Sequence, residues 1–173
     1  MAHPREIRSG VKSGQWIGAA GLLGLAVLLQ VALAGCGAGR APLKTGYLPS
    51  DAGTVVLTAR SQLGTPYRNR GVSPHTGFDC SGFTRWVYSQ HGVTLPRQSF
   101  DQYRTGAAVD KGELRSGDLV FFDIDKKGAS HVGIYSGGDS FLHSSSSGGR
   151  VREDGLEQAY WQDHYLGARR ILP

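Results

Sequence analysis

His131-Val132-Gly133-Ile134-Tyr135-Ser136-Gly137-Gly138-Asp139-Ser140-Phe141-Leu142-His143 reads as two short strands around a glycine turn. Side chains alternate between faces along a strand, so the turn decides which residues share a face. A two-residue Gly137-Gly138 turn would pair Ser136 with Asp139 and put Val132 across from His143, mixing apolar and polar positions. A three-residue loop over Ser136, Gly137 and Gly138 pairs Tyr135 with Asp139 instead. His131 then lies opposite His143, Val132 opposite Leu142, and Phe141 covers Gly133. The second register sorts both strands into a core face and a histidine face, and it is the one expected. Directly opposed residues have Cβ atoms about 5 Å apart, close enough for one ring to orient the other. His131 is therefore a candidate base and His143 the group that sets its tautomer.

Working outward, the same short period recurs at Asp118 to Asp123, Gly149 to Arg152 and Gly167 to Leu172, each bounded by turn residues. Upstream the period is helical. Asp51 is an N-cap candidate for a helix carrying Val55, Val56, Ala59 and Leu63, with Gly64 as its stop. Asp79 is a second N-cap, for a helix from about Cys80 to His91 that places Phe83 and Val87 on one face and ends at Gly92. A shorter helix spans Ser99 to Arg104. Helices first and strands after predict an α+β domain, with N-terminal helices packed on a small antiparallel sheet.

The chain has 173 residues and a formal net charge of +5. The first 35 residues carry Arg5, Arg8, Lys12 and Glu6, so the charge on the remaining 138 is mild and scattered. Runs of Arg and Lys interleaved with aromatics are missing, which argues against a nucleic-acid partner. A length of 138 residues suits one compact domain, expected over 51–173.

The leader has its own logic. A polar, basic stretch precedes Trp16 to Ala34, which is apolar apart from glycines and Gln30. Basic, apolar and small-residue segments in that order describe a secretory signal. Nineteen apolar residues would also roughly cross a bilayer. The ending Leu33-Ala34-Gly35-Cys36 favours cleavage. It resembles the lipobox of bacterial lipoproteins, which implies a signal peptide over 1–35, acylation of Cys36 and a lipidated tether over 36–50. The resemblance implies a membrane-anchored protein facing the periplasm, at the outer membrane in a host with two membranes.

Cysteine occurs twice, at Cys36 and Cys80. Cys80 at a helix start would face unpaired amides and the positive end of the macrodipole, which lower a thiol pKa. An imidazole would lower it further, while Asp79 opposes. A buried structural thiol is the plain alternative. Zinc bound by Cys80, His131 and His143 is another. His75, His91 and His164 read as loop or surface residues.

Asp79-Cys80-Ser81-Gly82-Phe83, Leu95-Pro96-Arg97-Gln98-Ser99 with Gln102, Gly117-Asp118-Leu119-Val120, His131-Val132-Gly133-Ile134-Tyr135 and His143 together resemble the NlpC/P60 family of cell-wall peptidases. The likeness runs from about residue 52 to 172. It implies a minimal papain-like fold and a cysteine peptidase needing no cofactor. It also implies a substrate in peptidoglycan stem peptides, acted on by a monomer. Cys80 would be the nucleophile, His131 the base and His143 the polar third member. Tyr67 and the Cys80 amide would stabilise the oxyanion. Asp79 and Ser81 match positions that contact substrate, though helix capping explains them equally well. A lipobox ahead of such a domain resembles the family's lipoprotein endopeptidases, which favours the D-Ala–diaminopimelate cross-link over the D-Glu–diaminopimelate bond. A wall-binding lipoprotein that no longer cleaves is the remaining alternative.

Overall fold

A computed structural model describes residues 51–125 and 127–173. The leader, Cys36 and the tether lie outside these residues. Asp51 does cap the first helix, α1 (Ala52–Arg60), its side chain accepting from the Thr54 amide at 2.9 Å. Val55, Val56 and Ala59 form the buried stripe. Leu63, expected to join them, is 47% exposed, because the helix ends at Arg60 and the chain turns before it.

Two short strands, β1 (Val72–Ser73) and β2 (Gly77–Phe78), pair before the second helix, α2 (Cys80–Ser89). Asp79 caps α2 through a 2.7 Å bond from the Gly82 amide. Gly82 is required by a close approach: a Cβ there would sit 2.0 Å from the Gly71 carbonyl oxygen. The loop before β1 is thereby pressed onto the start of α2. A single turn, α3 (Ser99–Gln102), follows. Its Gln102 is fully buried and donates to the carbonyls of Ser81 and Pro96, at 3.0 and 2.8 Å, while accepting from Thr84 at 2.8 Å. This amide ties the 96–99 segment to the first turn of α2.

The remaining strands are β3 (Ala107–Val109), β4 (Leu119–Phe122), β5 (His131–Gly137), β6 (Ser140–Ser145), β7 (Arg150–Gly155) and β8 (Tyr165–Arg170), with a short helix, α4 (Ala159–His164), before β8. Among the described residues they form one sheet in the order β3-β8-β4-β5-β6-β7, with every neighbour antiparallel. The α+β expectation holds. β3 and α4 were not expected. β3 is short and largely exposed, and α4 is a six-residue segment too brief for helical periodicity to be visible.

Alternation along the central strands separates two cores. Leu119, Phe121, Val132, Ile134 and Leu142 face α1 and α2, where they meet Val55, Phe83, Val87 and Tyr88. Val120, Phe122, Tyr135 and Phe141 face the other way, against Leu156 and Trp161. Full burial of a Phe or Leu side chain contributes about 1.5–3 kcal/mol, so each layer has ample drive to order its elements.

The β5–β6 register differs from expectation. Ile134 pairs with Leu142 and Tyr135 with Phe141, while Gly137 pairs with Ser140 across an irregularity. The turn is Gly138-Asp139, both with positive φ, and Gly137 is also left-handed. Asp tolerates that conformation better than most residues, so the turn moves later along the chain and Ser136 is left as the extra residue of a bulge. Carried inward, this register sets His143 across from Gly133, where a Cβ would come within 2.6 Å of Phe141 and 3.2 Å of the His143 Cβ. The slip from the expected register is two residues, so every side chain keeps its face. His131 and His143 remain on one face, diagonal rather than opposed.

Candidate active site

Cys80 is the first residue of α2 and stands half-buried in a cleft of about 710 Å³. Tyr67, Asp79, Ser81, Arg97 and His131 line the same cleft. The backbone amide of Val132, the residue after His131, acts on the Cys80 sulfur and favours its charged form. Helix start and strand start thus meet at one point, although they belong to different layers.

From His131 a hydrogen-bonded line runs inward. His131 Nε2 lies 2.8 Å from His143 Nδ1, and His143 Nε2 lies 3.0 Å from Asp154 Oδ2. Asp154 Oδ1 accepts from Arg152 Nε at 2.7 Å, and an Arg152 terminal nitrogen lies 2.5 Å away. The rings of His131 and His143 stand edge to face, 5.0 Å apart. Trp161 stacks on His131 at 5.7 Å and meets His143 edge-on at 5.0 Å. Phe141 lies against His143 at 4.8 Å. His143 is wholly buried and does not line the cleft. With Nε2 engaged, Nδ1 is the His131 nitrogen left for the cysteine.

The electrostatics correct one expectation. Burial first, then the Asp79 carboxylate, push the Cys80 thiol up to about 11, against the pull of the Val132, Ser81 and Cys80 amides. Burial, then the neighbouring His143, take His131 down to about 3, with Asp154 opposing. His143 is lowered too, by burial ahead of its contact with Asp154, which acts to raise it. For Asp154 burial acts upward, but the His143 hydrogen bond and the Arg152 charge outweigh it, leaving the carboxyl below its ordinary value. At rest the sulfur is therefore a thiol beside a neutral imidazole, and the helix N-terminus does not suffice to ionise it.

Asp79 both caps the helix and binds Arg97. Arg97 donates to Asp79 Oδ1 at 3.1 Å, to Oδ2 at 2.6 Å and to Ser81 Oγ at 3.0 Å. Both Asp79 oxygens are thus occupied by the protein. Ser81 Oγ in turn donates to Asp79 at 3.4 Å. Ser99 anchors its loop by donating to the Ala129 carbonyl at 2.7 Å. The Tyr67 hydroxyl is raised by burial and then by Cys80, Asp79 and Asp125, so it stays protonated and able to donate. His75 is exposed, and His164 bonds its own helix at Tyr160. His91, expected at the surface, is 3% exposed, with its Nε2 2.9 Å from Thr58 Oγ1.

Asp154 and Trp161 were not anticipated. A signal for Asp154 existed: His143 pairs with Arg152, and Asp154 is two residues further on the same face. The strand was expected to stop at Arg152, which hid it.

A helix-start cysteine over an antiparallel sheet, with a strand-start histidine held by a second polar side chain, defines the papain-like class of cysteine-peptidase folds. The family pattern described as NlpC/P60 matches residues 64–170, and the chain belongs to the NlpC/P60 family. It is 43% identical over 115 residues to murein DD-endopeptidase MepH of Escherichia coli, covering 64% of this chain and 42% of that protein. It is 39% identical over 153 residues to the probable endopeptidase NlpC of Escherichia coli, covering 85% of this chain and 97% of that one. The gamma-D-glutamyl-L-lysine dipeptidyl-peptidase of Bacillus cereus is 43% identical over 121 residues, covering 69% of this chain and 36% of the relative. The chain thus spans less than half of MepH and of the dipeptidyl-peptidase. A crystal structure of an NlpC/P60 protein from Bacillus cereus superposes with a TM-score of 0.68 at 42% identity, over 73% of this chain and 42% of that one.

Proposed function

We propose that the protein hydrolyses an amide bond in peptidoglycan stem peptides through Cys80. The observation that carries this reading is the shared cleft of Cys80 and His131, with His131 braced from behind by His143 and Asp154. Because thiol and imidazole are both neutral at rest, His131 Nδ1 takes the proton as the sulfur attacks. The new C–S bond closes, and negative charge moves to the carbonyl oxygen. In this reading the Cys80 amide and the hydroxyl of Tyr67, which lines the same cleft, stabilise that oxygen; one such donor is worth about 10²–10³ in rate in other enzymes. The imidazolium then protonates the departing amine as the C–N bond breaks. Water, deprotonated by the same imidazole, hydrolyses the thioester and restores the thiol.

Asp79 and Ser81, held by Arg97, shape the cleft wall beside the nucleophile. Zinc binding fits less well, since His131 Nε2 and His143 Nδ1 face each other rather than a shared ion. We assign the D-Ala–diaminopimelate cross-link first, in line with the name of the MepH relative. Relatives named DL-endopeptidase and gamma-D-glutamyl-L-lysine dipeptidyl-peptidase support the D-Glu–diaminopimelate bond as the alternative. We further propose that Cys36 is acylated and tethers the domain to a membrane. Mass spectrometry of the membrane-extracted protein should find acylated Cys36 as first residue; an intact Met1 would refute the tether.

Digestion of purified sacculi by the wild type and Cys80→Ser, with products identified by mass, tests the peptidase reading. The wild type should release muropeptides and the variant none, while still binding them. Equal release by both would exclude a covalent thiol mechanism, and the product masses identify the bond.

A further inference from the structure

We propose that Asp154 is a positioning residue that sets the proton order of both imidazoles, so that His131 presents a bare nitrogen to Cys80. Donors and acceptors fix the order. An ionised carboxylate only accepts. Asp154 Oδ1 is taken by Arg152, and Oδ2 faces His143 Nε2 at 3.0 Å, so that nitrogen carries the proton. A neutral imidazole has one N–H, which leaves His143 Nδ1 as acceptor. His131 Nε2, 2.8 Å away, must then donate, and His131 Nδ1 is left without a proton. No proton needs to reach Asp154. His143, wholly buried against Phe141 and Trp161, has no access to water that could rescue the opposite order.

Arg152 makes the inference sharp. A guanidinium can only donate. In Asp154→Asn, the amide oxygen would therefore turn to Arg152 and the amide NH₂ to His143 Nε2. That reverses every proton on the line and leaves an N–H on His131 Nδ1, pointing at a sulfur it can no longer deprotonate. The inference rests on the proposed peptidase reading for its kinetic arm alone.

The test is ¹⁵N NMR of histidine-labelled protein at neutral pH, read with sacculus digestion. In the wild type, His143 Nε2 and His131 Nε2 should give protonated, pyrrole-type signals. In Asp154→Asn both should become pyridine-type, and kcat should fall by about 10²-fold or more with KM little changed, the usual weight of general acid–base catalysis. Adding Arg152→Met frees the amide to turn its oxygen to His143, so the double variant should regain wild-type tautomers and part of the lost kcat. A wild-type His143 protonated on Nδ1 would overturn the inference, and that measurement requires no variant to fold. Unchanged tautomers in Asp154→Asn would overturn it as well. The tautomer readings need no substrate. If they come out as stated while the wild type releases nothing from sacculi, the peptidase reading fails and the proton order stands.

Discussion

The helix-covered face of the sheet packs Leu119, Phe121, Val132, Ile134 and Leu142 on Phe83 and Val87, whereas the opposite face buries two imidazoles and a carboxylate among Phe122, Phe141 and Trp161. Both faces are equally dry. The first orders α2 and so aims the sulfur. The second spends burial on holding a hydrogen-bonded line that contributes little net stability, since desolvating such groups offsets much of what their contacts gain. Nucleophile and base thus come from layers with different physics, joined at the cleft where α2 and β5 begin.

The largest effect expected from breaking either layer is on stability. Phe83→Ala and Trp161→Ala should each lower unfolding free energy by about 3–5 kcal/mol in urea titrations. They should part in kinetics: activity per folded molecule should persist in the Phe83 variant and drop in the Trp161 variant, which loses the ring stacked on His131. Equal specific activities would erase the proposed division of labour.

A pH series separates the layers next. Both histidines are held neutral in the folded protein, with His131 near 3 against an ordinary 6.5. The unfolded chain therefore binds more protons as pH falls from about 6.5 towards 3, and stability is lost across that window. Asp154, lowered in the folded state, adds loss in the same direction below the ordinary carboxylate range. The slope is at most about 1.4 kcal/mol per pH unit for each ring. Urea midpoints should fall between pH 7 and 5 in the wild type and less steeply in His131→Gln. A flat wild-type profile would contradict buried, neutral rings.

The smallest effect lies at the cleft rim, outside both layers. Arg70 lines the cleft with φ of +61°, a conformation that costs a side-chain-bearing residue about 1–2 kcal/mol. Arg70→Gly should raise the urea midpoint by roughly 1 kcal/mol equivalent, and a lowered midpoint would show that its side chain contributes packing that outweighs the strain.

Much of this arrangement was legible beforehand, for identifiable reasons. Asp79 before Cys80 announces a capped helix, because few residues satisfy bare amides so well. Alternation through Val132, Ile134 and Leu142 reveals the core face whatever the exact register, since a two-residue slip preserves faces. The turn differs from the expected loop because Asp139, placed there as a strand residue, takes a left-handed position. Asp154 escaped because β7 runs three residues past its expected end. The thiol was misjudged because the pull of helix amides can be read from position, whereas the opposing cost of burial depends on what the rest of the chain packs around the sulfur.

That last feature bears on durability. Burial and the Asp79 carboxylate push the Cys80 pKa up, so the sulfur stays a thiol at neutral pH. Peroxide and alkylating reagents attack the anion, so an idle protein in an oxidising medium would be slow to form sulfenic acid. Among the described residues there is no second sulfhydryl with which it could close a bridge.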